Sequence, residues 1–116
     1  MRPEATKPNP HHERLLGLLG LGRRGGGVVL GVDRVRAGLQ GGEFSCVVLA
    51  ADASPRARDK VVRLAAARGV PLLAGPPADL LGARLGTPAV MVVGVLDRAL
   101  AAGLVRTAPA SRWMED

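Results

Sequence analysis

The residues best placed to do chemistry lie in the stretch VVLGVDRVRAGL, Val28 to Leu39. A short apolar run stops at Gly31, and an amphipathic segment carrying Asp33, Arg34 and Arg36 begins at once. A strand that turns through a glycine into a helix aims the helix's first N–H groups at whatever lies in front of the turn, because those groups have no partner inside the helix. Such a terminus suits a phosphate. With two arginines in the first turns, the expected guest is an anion, and nucleic acid is the commonest polymeric one. Asp33 can cap the helix start or accept a guanine amino proton. Arg34 and Arg36 are two apart, so they point in different directions around the helix: one can face a polyanion while the other flanks it. A second stretch, Gly86-Thr87-Pro88-Ala89, offers backbone N–H groups and a small apolar surface that can lie against exposed bases.

Catalytic and cofactor chemistry is poorly represented. The chain holds no Gly-x-x-x-x-Gly-Lys-Ser/Thr phosphate loop, no nucleophile elbow, no metal-spaced His/Cys/Asp cluster and no usable triad. Gly20, Gly22 and Gly25 match the dinucleotide fingerprint G-x-G-x-x-G, but a helical pattern precedes them and a strand follows, the reverse of what that motif needs. They are expected instead to end a helix and let it pack closely. Asp52 ends an apolar run, where α/β folds often hold a functional carboxylate. With no second candidate beside it, its expected role is structural, next to the helix start at Ser54-Pro55. His11 and His12 without further ligands do not make a metal site. Cys46 lies inside an apolar run and reads as a small buried hydrophobe in a reducing compartment. No catalytic residue, cofactor or metal is expected.

Charge points to a partner. The net charge is +6, and residues 23 to 68 carry nine basic groups against four acidic ones, so five of those six charges fall in under half the chain. That is the footprint of a polyanion partner. With one Phe, one Trp and no Tyr, no base-stacking platform is expected to carry the contact; phosphates, base edges and shape remain. The N-terminal MRPEATKPNPHH lacks a signal peptide's apolar core, and no apolar run approaches the roughly 18–20 residues of a membrane span. A cytoplasmic protein without a membrane partner is expected, and a monomer.

The elements that must position these residues follow from periodicity. Residues 1–10 are expected to be a disordered tail, 11–105 a single domain and 106–116 a flexible tail containing Trp113. Helices are expected over Glu13–Arg24, Asp33–Leu39, Pro55–Arg68 (with Ser54 as N-cap), Ala78–Leu85 and Asp97–Leu104. Strands are expected over Val28–Leu30, Phe44–Ala51, Val70–Ala74 and Ala89–Val93. FSCVVLAA, near-continuously apolar, predicts a central strand covered on both faces. Pro71 requires a strand start or an edge. The alternation predicts an α/β fold, a three-layer α/β/α sandwich around a mixed sheet of about four strands, with connection lengths that suit mostly parallel pairings.

The order of these pieces resembles the kink-turn-binding ribosomal-protein superfamily, most closely its bacterial YlxQ-like branch. The resemblance rests on LLGLGRRGGGVVLGVDRVRAGL (Leu18 to Leu39), VVLAADASPRARDKV (Val47 to Val61), VPLL (Val70 to Leu73) and LLGARLGTPAVMVVGVLD (Leu80 to Asp97). The second piece is similar to the family's Ala-x-Asp-x-Ser turn, and the fourth to its Leu-Gly-x-x-Leu-Gly helix ending. The resemblance implies a non-catalytic protein that binds sharply bent RNA and is associated with the ribosome or translation. It implies RNA contacts from Gly31, Val32, Asp33, Arg34, Arg36, Asp52, Gly86, Thr87, Pro88 and Ala89. Ribosomal members carry Gly-x-Asn-Glu-x-x-Lys at the grip; here Asp33 and Arg34 replace Asn and Glu. An ionised Asp cannot donate to phosphate and Arg cannot accept from guanine. RNA binding is therefore implied more firmly than standard kink-turn specificity. The alternative expectation is a protein–protein adaptor in the transcription or translation machinery whose basic charge is incidental.

Overall fold

A computed structural model describes residues 10–107. Of the tails expected at 1–10 and 106–116, residues 1–9 and 108–116, Trp113 included, lie outside the described residues, while Pro10 begins a helix and Arg106 and Thr107 end one. Among the described residues nine elements alternate: α1 (Pro10–Arg24), β1 (Val28–Leu30), α2 (Val32–Gln40), β2 (Cys46–Leu49), α3 (Pro55–Ala67), β3 (Leu72–Ala74), α4 (Ala78–Leu85), β4 (Val92–Val95) and α5 (Arg98–Thr107). The strands form one mixed sheet in the order β1-β4-β2-β3. Helix α2 packs on α3, while α1 packs on α4 and α5, which makes the two outer layers of an α/β/α sandwich. Among the described residues, no helix is long and apolar enough to cross a membrane.

The two central strands, β2 and β4, are buried along their whole length; for β2 this is what the near-continuous apolar run at 44–51 predicted. β3 is an edge strand, and Pro71 sits just before it with its carbonyl accepting from Val47 N–H at 2.9 Å. Ser54 caps α3 as its sequence position predicts: its Oγ accepts from Ala57 N–H at 3.1 Å, and Pro55 fills the first helical position. The glycines of the G-x-G-x-x-G match end α1 and admit close packing. A Cβ on Gly22 would lie 2.4 Å from Leu100 Cδ2 of α5.

The expected predominance of parallel pairings is overturned. Only β2 and β3 are parallel; β4 runs antiparallel to both of its neighbours. The reason lies in the connection through α4. That helix has eight residues, so it is about 12 Å long, and the loop after it folds straight back. Val90 N–H donates to the carbonyl of Ala78, the first residue of the helix, at 3.0 Å. The chain therefore re-enters the sheet at the edge it left at the end of β3, and β4 must run the opposite way.

The same reversal moves β4 three residues along from the expected start at Ala89, because residues 89–91 serve the loop. Gly94, outside the expected strand, lies within it: the Phe44 ring covers it so closely that a Cβ would come within 2.6 Å of Cζ.

Candidate functional site

The sheet topology gathers four turns on one edge. Gly31 follows β1, Ala50 follows β2, Gly75 follows β3, and Met91 precedes β4. Backbone bonds stitch this edge together. Gly31 N–H donates to Val92 O at 3.0 Å, Ala50 N–H to Met91 O at 2.8 Å and Gly75 N–H to Leu49 O at 2.8 Å. The loops that cross the edge are thus held from the sheet beneath them, which is what a recognition surface on loops requires.

Gly31 is the pivot. Its backbone stands at φ 104° and ψ 149°, a conformation that L side chains rarely adopt, and it serves as the N-cap of α2 with no side chain capping the helix. The first N–H groups of α2 consequently point out of the edge without an intrahelical partner. Opposite, α4 ends at Gly86 in the left-handed conformation, and Thr87 N–H donates back to Gly82 O at 2.9 Å. This closure turns Thr87, Pro88 and Ala89 towards Gly31. Together they line a cleft of about 470 Å³, whose remaining walls are Leu30, Val32, Val90 and Met91. The glycine turn and the small apolar loop, far apart in sequence, are two sides of one cleft.

A second cavity of 300 Å³ adjoins it, sharing Val32 and Met91 and adding Asp33, Ser54, Arg56, Ala57 and Lys60. Here Asp33 and Lys60 form an ion pair at 3.4 Å across α2 and α3. The Asp33 side chain is 89% exposed, so the pair is solvent-screened and contributes little to stability, on the order of 0–1 kcal/mol. Its consequence is local: it places an ammonium beside the carboxylate at the mouth of the helix terminus.

The remaining sequence-predicted residues divide. Arg34 is exposed and lines none of these cavities. Arg36 faces away from the cleft, into a groove between α2 and α3. Asp52 is exposed at the edge, and its Oδ1 accepts from Ala78 N–H at 2.8 Å. The expected structural role beside the start of α3 is in fact a role at the start of α4, whose own N-cap position is Pro77 and offers no side-chain acceptor. Asp52 thereby fixes the helix that carries the Gly86–Ala89 loop.

Arg56, Lys60 and Met91 line the site although sequence reasoning did not place them there. The four-residue spacing of Arg56 and Lys60 put both on one helix face, but nothing in the chain tied that face to Asp33, 27 residues earlier. Cys46 sits at the opposite end of β2, fully buried, and burial pushes its thiol up to about 12. It is not a nucleophile at neutral pH. Among the described residues, no group of three or more His, Cys, Asp or Glu side chains could hold a metal ion.

The arrangement suits an extended polar ligand with flat apolar faces: an apolar cleft, outward N–H groups at its lip, and cations along the rim. Residues 13–103 match the family model of the ribosomal protein L7Ae/L30e/S12e/Gadd45 family. The chain belongs to that family. Among solved structures, a Bacillus halodurans protein of unknown function superposes with a TM-score of 0.77 at 26% identity, over 81% of this chain and 95% of its own. The 15.5 kD RNA-binding protein of Giardia lamblia superposes with a TM-score of 0.75 at 20% identity, over 92% and 93%. At that identity the second likeness speaks for the fold alone. No curated protein matches the chain. The L7Ae-type fold explains why the Gly31 turn and the Thr87 loop meet: both end at the edge where β4 enters between β1 and β2.

Proposed function

We propose that this chain is a non-catalytic RNA-binding protein that recognises structured, sharply bent RNA, as a monomer associated with the ribosome or translation in the cytoplasm. The observation that carries the proposal is the convergence of Gly31 and Val32 with Thr87, Pro88 and Ala89 on one apolar cleft, beside cations on α3. Family membership and the RNA-binding name of the Giardia lamblia neighbour support the same reading. The likeness to the Bacillus halodurans protein is consistent with a bacterial, YlxQ-like placement within the family.

In this reading residues 11–105 form the binding domain. A base splayed out at the bend lies against Pro88, Ala89 and Val32, while a phosphate sits before the N–H groups of Val32 and Asp33. Arg34 and Arg36 flank the RNA, and Asp52 positions the Gly86–Ala89 loop through α4. Asp33 carries a negative charge at the point where phosphate arrives, and Lys60 offsets it. The polar readout of this site therefore differs from an Asn-Glu grip, and shape and phosphate contacts weigh more.

Titrating a kink-turn RNA and a straight duplex of equal length at two salt concentrations tests the proposal. Tighter binding to the bent RNA and a steep loss of affinity with salt are expected. Equal weak affinity for both would sink it.

A further inference from the structure

We infer that the groove between α2 and α3 is a second contact for the RNA backbone, a phosphate track that begins at the cleft and carries a strand away from the bend. The inference rests on the RNA-binding reading and extends it from Arg36 across the groove to α3, which that reading does not need. The groove has a volume of 480 Å³ and presents Arg36 and Gln40 from α2 and Asp59, Lys60 and Arg63 from α3. Three cations face one carboxylate across it.

Among the described residues, neither Arg36 nor Arg63 is in an ion pair, so both guanidiniums are available to an incoming anion. Leu64 and Ala67 also line the groove and give the long side-chain stems an apolar surface to lie on.

Continuity decides the occupant. Lys60 lines both this groove and the cavity at Asp33, which in turn shares Val32 and Met91 with the cleft. Cleft, cavity and groove are successive stations on one path that runs from the N-terminus of α2 along its length to Gln40. Along α3, Lys60 to Ala67 covers two turns, about 10 Å, or about three nucleotides at the 3.4 Å rise of a strand. A strand of that length meets Lys60, Arg63 and Arg36 in turn. Arg36, which the fold turns away from the cleft, acquires a role there.

The test is the salt dependence of binding to a bent RNA with full-length arms. The double variant Arg36→Gln/Arg63→Gln should lower the magnitude of the slope of log affinity against log salt by about 1.4–1.8, since each phosphate contact contributes about 0.7–0.9. The charge-retaining Arg36→Lys/Arg63→Lys should keep the wild-type slope. Arg98→Gln/Arg106→Gln removes the same charge from a separate groove against α5 and should also keep it. Shortening the arm that leaves the cleft should reduce the slope for wild type and leave the Gln variant unchanged. An unchanged slope for Arg36→Gln/Arg63→Gln, with wild type still preferring bent RNA, overturns the track and leaves the cleft standing. Equal slopes for the two Gln variants overturn it as well, reducing the effect to net charge. A wild-type chain that does not prefer bent RNA overturns the cleft reading, and the track falls with it.

Discussion

Replacing Gly82 by alanine probes the link between helix packing and the recognition loop. Gly82 lies inside α4 directly beneath the loop that follows it. A Cβ there would stand 2.2 Å from Pro88 O, 2.6 Å from Pro88 C and 2.8 Å from Thr87 O. These are backbone atoms, so no flexible side-chain end can swing aside. Ordinary contact begins near 3.4 Å, so the Thr87–Pro88 backbone must retreat by about 1 Å or more. Gly17, in α1, supplies the control, because a Cβ there meets nothing within 4 Å.

Both substitutions gain about 1 kcal/mol of helix propensity. Only Gly82→Ala pays for overpacking, at about 1–3 kcal/mol. The difference between the two variants isolates that term. Gly17→Ala should melt higher than wild type, and Gly82→Ala should melt below Gly17→Ala by roughly 4–24 °C, given about 4–8 °C per kcal/mol in a domain of this size. Thermal unfolding followed by circular dichroism reads the difference. RNA titration of folded Gly82→Ala should show weakened binding, because the moved loop forms one wall of the cleft. Equal melting temperatures for the two alanine variants would refute the packing argument. Full RNA affinity in a destabilised Gly82→Ala would instead detach the loop from recognition.

Gly31→Ala has open space around its Cβ but forces a side chain onto φ 104°, so it should cost about 1–3 kcal/mol through backbone strain alone, measured by urea unfolding. Asp52→Ala removes the acceptor for Ala78 N–H and should destabilise by about 1 kcal/mol in the same assay, with hydrogen exchange at the start of α4 speeding up most. Cys46 should resist a thiol-specific reagent at neutral pH and react only as the chain unfolds, since burial holds its pKa at about 12; prompt modification of the native protein would contradict its placement. Burial, and secondarily the neighbouring His11, lowers the pKa of His12 from 6.5. The unfolded chain then binds that proton more strongly, so the contribution to stability is present above pH 6.5 and is lost as pH falls below it. His12→Asn should show a smaller drop in melting temperature than wild type on acidification through that range.

Much of the fold was legible because its signals are local. Ser54-Pro55 starts a helix wherever it stands, since a hydroxyl cap and a fixed φ need no distant partner. The apolar run at 44–51 announced a doubly covered strand, though only Cys46–Leu49 pair in the sheet. Helix α4 was expected over the residues it occupies, Ala78–Leu85, bounded by Pro77 and Gly86. The glycine turn at Gly31 and the small loop at Thr87–Ala89 could each be picked out from residue type and spacing.

What the sequence by itself determined, then, is the set of elements, the basic balance and the two stretches suited to an anion and a base. Tertiary structure alone decided the direction of β4, because a return bond from Val90 to Ala78 has no periodic signature. With that direction it decided that the Gly31 turn and the Thr87 loop share one cleft. It also set Lys60 against Asp33, turned Arg36 towards α3, and gave Asp52 to α4 rather than to its own helix start. The physical reason is the same throughout. Local propensities fix which backbone segments form, but charges and loops acquire partners only when a buried sheet fixes which edge each segment ends on.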